Sequence, residues 1–319
     1  MKRLFFAIAI VAVSCLSMSA CATDSQNDSS SKPEAPVRQG WWGIPLYGDV
    51  ESVDIAIYKL EEKFGEVVRG DIVDCEKYYF NKAGDVIEKA KYNSYGSLRE
   101  KEIYKYDASR NLVEETSYDS DGSLDRKYIY KYDTSGNKIE RDSYNSYGSL
   151  KEKTIYKYDA SGNMIEEAAY NSDGSLGDKE IYKYDTSGNM IEWAWYDSDG
   201  SLDRKYTFKY DTSGNMIEQA SYNSDGSLWY KHIYKYDSSG SLIEMAFYKS
   251  DGSLDEKRTF KYYTSGNMIE KAGYNSNGSL DEKTIYKYDA SGNMIEETVY
   301  SGEALLPDSQ KVYEITYRN

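Results

Sequence analysis

The chain has 319 residues, a formal net charge of −15 and 35 tyrosines. A negative charge of this size opposes binding to nucleic-acid phosphates, so nucleic acid is excluded as an expected partner. Of the three cysteines, Cys15 and Cys21 lie in the N-terminal segment and only Cys75 lies beyond it, so we expect no intrachain disulfide.

Residues 1–20 have the layout of an export signal, with two basic residues followed by ten apolar ones. The small and apolar residues 16–20, followed by Cys21, resemble the lipobox of bacterial lipoproteins. That resemblance implies a lipid on Cys21 that anchors the mature protein in the bacterial cell envelope, at the outer membrane or the cell surface. Ordinary secretion, with cleavage near Ala20 or Ala22, is the alternative.

Two further segments precede the repeats. Residues 21–40 are polar and rich in Ser and Asp, which predicts a lipidated, flexible tether. We expect residues 41–77 to form an N-terminal cap. Within it, residues 53–58 alternate like a strand, whereas the following K-L-E-E-K-F is compatible with a strand or a helix.

A tyrosine recurs every 26 residues before a Gly-Ser-Leu turn. The eight markers are Tyr92, Tyr118, Tyr144, Tyr170, Tyr196, Tyr222, Tyr248 and Tyr274. Each unit has two turns of Asx and Ser residues followed by Gly, such as 197–201 and 211–215, which are typical of short hairpin loops. The segments between turns alternate with a period of two, which predicts antiparallel strands.

If Tyr196 faces Leu202 and Tyr210 faces Met216, both loops preserve the parity of the residue number. We then expect all even-numbered strand residues to share one sheet face and all odd-numbered ones the other.

The motif K-Y-D-x-S-G-N-x-I-E recurs at 157–166, 183–192 and 209–218. It resembles the YD repeat of the RHS and teneurin families, over residues 78–299. The resemblance implies a β-sheet spiral that, in some family members, encloses a toxin and, in others, engages cell-surface partners or sugars. Two positions depart from the motif: Arg110 replaces a turn Gly, and Tyr263 replaces a turn Asp. The repeats are followed only by a short segment, so we do not expect an enclosed toxin.

The predicted fold class is therefore all-β, with tandem 26-residue antiparallel β-hairpin repeats that form an extended, twisted or spiral single-layer sheet. The predicted divisions are a signal peptide at 1–20, a tether at 21–40, an N-terminal cap at 41–77, the repeats at 78–299 and a C-terminal capping strand at 300–319.

The most informative departure from the repeat is a group of large side chains at positions that hold mostly polar or small residues in other units. Its members are Trp193, Trp195, Trp229, Met245 and Phe247. We interpret them as a candidate platform for a sugar or protein ligand, or as packing against a cap or against the curl of the sheet.

Other residues have simpler explanations. His232 is the only histidine, and the repeat requires no base at its position, so we expect no catalytic role. Cys75 has no neighbouring His or basic cluster in the sequence and is expected to be a buried structural thiol. The acidic turns at 119–122 and 197–200 each place two carboxylates before a Gly, but a calcium loop needs about six to eight oxygen ligands. The equivalent turns in other units, such as 93–96, lack both carboxylates, so no metal is expected. The recurring Glu and Lys predict a solvated sheet face rather than a catalytic carboxylate pair.

Taken together, these features predict a surface-displayed, non-catalytic repeat protein without a cofactor, which binds a glycan or protein partner through a sheet face. A structural spacer or envelope scaffold without a specific ligand is the alternative. The oligomeric state is left open by the sequence.

Overall fold

The computed structural model describes residues 38, 41, 45–302 and 305–318. Cys21 and the predicted tether, apart from Arg38, lie outside these residues, so lipid attachment and the anchored location stay predictions. Across the described residues, no helix is both long and apolar enough to cross a bilayer.

Twenty antiparallel strands make up a single sheet. The first ten are β1 (Val50–Lys63), β2 (Glu66–Phe80), β3 (Val86–Asn93), β4 (Leu98–Tyr106), β5 (Leu112–Asp119), β6 (Leu124–Tyr132), β7 (Lys138–Tyr144), β8 (Leu150–Tyr158), β9 (Met164–Asn171) and β10 (Leu176–Tyr184). The others are β11 (Met190–Tyr196), β12 (Leu202–Tyr210), β13 (Met216–Asn223), β14 (Leu228–Tyr236), β15 (Leu242–Lys249), β16 (Leu254–Tyr262), β17 (Met268–Asn275), β18 (Leu280–Tyr288), β19 (Met294–Ser301) and β20 (Leu306–Tyr317).

The turns have the predicted chemistry. In the hairpin that joins β12 to β13, the Asp211 amide donates to the Asn215 carbonyl at 2.9 Å, and the Gly214 amide donates to the Asp211 carbonyl at 3.1 Å. Gly214 has a φ of +84°, a conformation that glycine adopts without steric cost. The Asp211 carboxylate accepts hydrogen bonds from the amides of Ser213 and Asn215, which fixes the loop.

Each repeat hairpin contains one extra residue on its second strand. Tyr210 pairs with Met216 as predicted, but the next pair is Lys209 with Glu218, which leaves Ile217 as a β-bulge. The predicted preservation of parity is therefore wrong. From β3 to β18, in the part of each strand that follows its bulge, even-numbered residues of even-numbered strands share a face with odd-numbered residues of odd-numbered strands. A residue that precedes the bulge, such as Lys138 in β7, has the opposite parity.

The sheet closes on itself. Besides its hairpin partner β2, strand β1 pairs with β20, and β20 also pairs with β19. The fold is thus a closed barrel, and the predicted open, twisted or spiral sheet is wrong, although the tandem hairpins are present. Closure leaves no unpaired sheet edge, which an open stack would have to protect by other means. The flanking segments, predicted as caps, supply the closing strands.

The two faces of the barrel differ in chemistry. The charged face repeats a Lys–Glu pair such as Lys209–Glu218, at 2.7 Å, around a small alanine such as Ala220, which is 2% exposed. These lysines are well hydrated, so each pair adds little to the stability of the fold. The opposite face, here called the aromatic face, carries most of the residues that vary between units.

The aromatic face is the inner, concave one. Tyr206 and Tyr230 lie on strands separated by β13, with Ser221 between them in register. Strands two apart are separated by about 10 Å, yet these two ring centroids approach to 6.5 Å. Such convergence of side chains is expected on the concave face of a closed sheet.

A small apolar core lies where the barrel closes. Leu46, Val50, Val53, Phe80 and Val86 are buried together there. The Trp41 ring packs edge-on against Phe80, with centroids 5.6 Å apart. Elsewhere the wall is a single layer, stabilised mainly by strand pairing and by contacts between side chains of neighbouring strands.

Candidate ligand-binding site

Four of the five predicted platform residues lie on the aromatic face. Trp193 and Trp195 project from β11, and Met245 and Phe247 project from β15. Trp229 is the bulge residue of β14 and is 40% exposed.

Trp193 is held between two tyrosines on neighbouring strands. Its ring stacks on Tyr206 with centroids 4.7 Å apart and lies parallel to Tyr182 at 6.2 Å. The indole Nε1 donates to Glu180 at 2.7 Å, and the Tyr182 hydroxyl donates to the same carboxylate at 2.6 Å. Burial, followed by the bond to Glu180, raises the pKa of Tyr182 well above its usual range. The indole is therefore fixed in orientation by the two flanking tyrosine rings and by the Glu180 carboxylate, which accepts its N–H.

Arg204 lies between the other two tryptophans. It is the register partner of Trp195, and its guanidinium carbon lies 4.4 Å from the centre of the Trp229 ring, a cation–π contact. It also donates to the Tyr206 hydroxyl at 3.4 Å. Among the described residues, no carboxylate lies within 4.0 Å of this guanidinium.

The row of rings ends at His232. This imidazole stacks on Tyr230 with centroids 4.8 Å apart and meets the Phe247 ring edge-on at 4.4 Å. Arg258 lies over the other side of Phe247, at 5.0 Å. Burial, and secondarily the charge of Arg258, lowers the pKa of His232 to about 4, so the imidazole is neutral at pH 7.

We call this row the aromatic strip; it comprises Tyr182, Trp193, Trp195, Arg204, Tyr206, Trp229, Tyr230, His232 and Phe247. Sequence reasoning considered His232 only as a catalytic base and missed the other even-numbered members, because parity was assumed to be constant. They could have been found by noting that the extra residue at each bulge exchanges the faces on which even- and odd-numbered residues lie.

Metal and thiol chemistry receive no support from the part of the chain that the structure describes. No group of three or more His, Cys, Asp or Glu side chains there is placed to hold a metal ion. Burial, with added effects of Asp74 and Asp54, raises the pKa of the Cys75 thiol, which disfavours the reactive thiolate.

No protein-family model and no curated protein matches this chain. Among solved structures it is similar to a porin-like protein from Bacteroides uniformis, at 10% identity, covering 84% of this chain and 98% of that one, with a TM-score of 0.37. It is also similar to the Tc holotoxin pore of Photorhabdus luminescens, at 12% identity, covering 76% of this chain but 19% of that one, with a TM-score of 0.22. A DUF1329 family protein from Desulfovibrio piger matches at 7% identity, covering 84% of this chain and 86% of that one, with a TM-score of 0.20. At these scores, no function is transferred from the neighbours to this chain.

Proposed function

We propose that this protein is an exported, lipid-anchored binding protein of the bacterial cell envelope that holds a glycan against its aromatic strip and catalyses no reaction. The observation that carries the proposal is the ordered row of rings on the inner face, with polar groups at the ring edges. Export and the lipid on Cys21 are inferred from the signal-like residues 1–21. The YD-like motif supports the assignment to exported β-repeat proteins.

The chemistry of the strip suits a sugar. The apolar faces of a pyranose ring can stack on flat indole and phenol rings, and sugar hydroxyls need donors and acceptors beside them. Glu180 and Arg204 are the register partners of Trp195 on the two neighbouring strands, and they offer an acceptor and a donor on either side of this ring. A concave wall also accommodates a slender oligosaccharide more readily than a folded protein domain.

The spacer alternative is not favoured by a closed sheet. In an open stack, the number of repeats sets the length of the particle. In a barrel closed by β1 and β20, it sets the circumference instead.

Trp195→Ala and Trp229→Ala should each weaken glycan binding at least tenfold, because each removes a stacking surface beside Arg204. The measurement is a glycan-array screen of the full mature chain in mild detergent, followed by titration calorimetry on the best ligand. We expect the melting temperature of Trp229→Ala to stay within about 2 °C of the wild type, because this ring is 40% exposed.

Tyr95→Ala is the matched control, since this aromatic side chain is 91% exposed in a turn away from the strip. It should bind like the wild type. Equal binding by the tryptophan variants and this control would contradict the proposal, as would turnover of the bound glycan.

A further inference from the structure

One repeat unit places two cations on the inner face, at a pair of positions that no other unit fills with two basic residues. Lys138 occupies a position that holds Met, Leu or Val elsewhere in the repeats, such as Met164 and Leu112. Arg141 follows three residues later on the same strand, β7. We infer that Lys138, Arg141 and the neighbouring Tyr156 form a binding site for an oxyanion group, a carboxylate or sulfate, on the inner wall of the barrel.

The ammonium of Lys138 is held by rings rather than by a counter-ion. Its Nζ lies 4.4 Å from the centre of the Tyr156 ring and 5.8 Å from that of Tyr130. It forms no ion pair within 4.0 Å with any carboxylate of the described residues. Burial is the main cause that lowers the pKa of Lys138. A cation in such surroundings favours an anionic partner, because buried charges are costly when they are unpaired.

Two buried donors accompany this cation. Tyr156 is 5% exposed and its hydroxyl has no hydrogen-bond partner among the described residues; the same holds for the buried Nε of Arg141. The other end of the Arg141 guanidinium donates to Thr154 at 3.0 Å and to Glu152 at 3.2 Å, which fixes its position. A buried donor without an acceptor costs about 1–3 kcal/mol. A group with several acceptor oxygens and a negative charge would satisfy both donors and the ammonium.

Glu167 is the nearest intramolecular candidate for this role. It is the register partner of Tyr156, and its negative charge favours the charged forms of Lys138 and Arg141 by raising the pKa of each. It lies near enough to the Tyr156 hydroxyl for the two groups to act on each other, but no hydrogen bond within 3.5 Å joins them. Burial, and then repulsion from Glu180, raises the pKa of Glu167, which weakens its charge as a competitor for the site.

The proposed site and the aromatic strip share one surface. Four strand steps, about 19 Å, separate β7 from β11, where Trp193 lies. If the proposed glycan function is correct, the oxyanion is the carboxylate or sulfate of an acidic sugar within the same bound glycan. A free inorganic anion, such as sulfate, is the alternative ligand.

Lys138→Met tests the site with the residue that other units carry at this position. Sodium sulfate and an oligoglucuronate should each raise the melting temperature of the wild-type full chain, measured against sodium chloride at equal ionic strength. Both effects should be lost in Lys138→Met, and its affinity for the oligoglucuronate should fall at least tenfold. Without added anion, Lys138→Met should melt at a higher temperature than the wild type, because it removes a half-buried cation that has no ion pair.

Glu167→Gln is the opposite test, and the repeat tolerates this change because Gln219 occupies the equivalent position two units later. Removal of the competing carboxylate should tighten anion binding, an effect that a purely structural role for the cluster would not produce.

Stabilisation by sulfate but not by oligoglucuronate would identify a free anion as the ligand. Equal stabilisation of wild type and Lys138→Met by both probes would overturn the inference. Loss of neutral-glycan binding in Trp195→Ala, with the anion effect intact, would separate the aromatic-strip proposal from this one.

Discussion

His232 shows how an otherwise ordinary repeat position acquires a pH-dependent effect on stability. Equivalent positions hold Thr154 and Thr284, so the fold itself does not require an imidazole. The ring lies between Tyr230 and Phe247, with Arg258 and Glu256 as the charged groups that act on it. Desolvation and Arg258 together outweigh the attraction of Glu256, so the neutral form is favoured in the folded state.

The pH dependence follows from this shift. The pKa of His232 is about 4 in the folded chain, against an ordinary value near 6.5, so the unfolded state binds the proton first as the pH falls. Stability should therefore decrease between about pH 6.5 and 4, by at most about 1.4 kcal/mol per pH unit from this group. Urea unfolding of wild type and His232→Thr at pH 7.5 and 5 measures it. The variant should lose less stability on acidification; an equal loss would show that His232 does not titrate as described.

The residue pattern allowed part of the site to be predicted. Departure from the repeat singled out five large side chains, and all of them except Trp229 share one face: Trp193, Trp195, Met245 and Phe247. That they bind a ligand stays a prediction. His232 was set aside because the repeat requires no base at its position, although its ring packs edge-on against Phe247. Lys138 and Arg141 were not singled out, because their significance depends on burial, and alternation alone does not distinguish a concave from a convex face.

At the scale of the hairpin, turn positions and strand extents were predictable, but the bulges were not. The recurring isoleucine after Asn-Met was assigned to a regular strand position. Ile217 is instead the unpaired residue, 36% exposed, and its equivalents Ile191 and Ile243 are similarly exposed. Both a regular strand and a bulge tolerate an isoleucine, so composition does not separate them. The consequence is large because one extra residue exchanges the two faces of everything that follows in the strand.

Deletion of Ile217 should therefore be far more damaging than its truncation. Without the bulge residue, either β13 exchanges its faces or the turn must deform, and Ala220 and Ser221 would swap environments. We expect loss of cooperative unfolding for the deletion but a cost below about 1 kcal/mol for Ile217→Ala, since this side chain is half-exposed. Urea titration followed by far-ultraviolet circular dichroism distinguishes the two. A deletion variant as stable as Ile217→Ala would show that the bulge does not set the register.

At the scale of the whole molecule, closure depends on residues outside the repeat. Nothing in a 26-residue unit specifies how many units complete the circumference. Strands β1 and β20 provide the closing pairs, and Asn293 ties the seam by accepting from the Tyr47 amide at 2.6 Å and donating to the Tyr317 hydroxyl at 2.7 Å. Closure was not predicted because these segments were interpreted as caps that cover a stack rather than as strands that join its ends.

An antiparallel barrel without a parallel seam needs an even number of strands, and this sets the last prediction. Deletion of residues 263–288 removes β17 and β18 and joins Tyr262 to Asp289, which restores the Lys-Tyr-Asp motif. Eighteen strands still alternate in direction, so this variant should remain monodisperse and unfold cooperatively.

Removal of residues 302–319 eliminates β20 and leaves β1 and β19 running in the same direction, each with an unpaired edge. It should aggregate or lose most of its stability, as measured by sedimentation velocity and thermal unfolding. A soluble, cooperative protein without β20 would contradict closure as the source of stability, because an open sheet would then be sufficient.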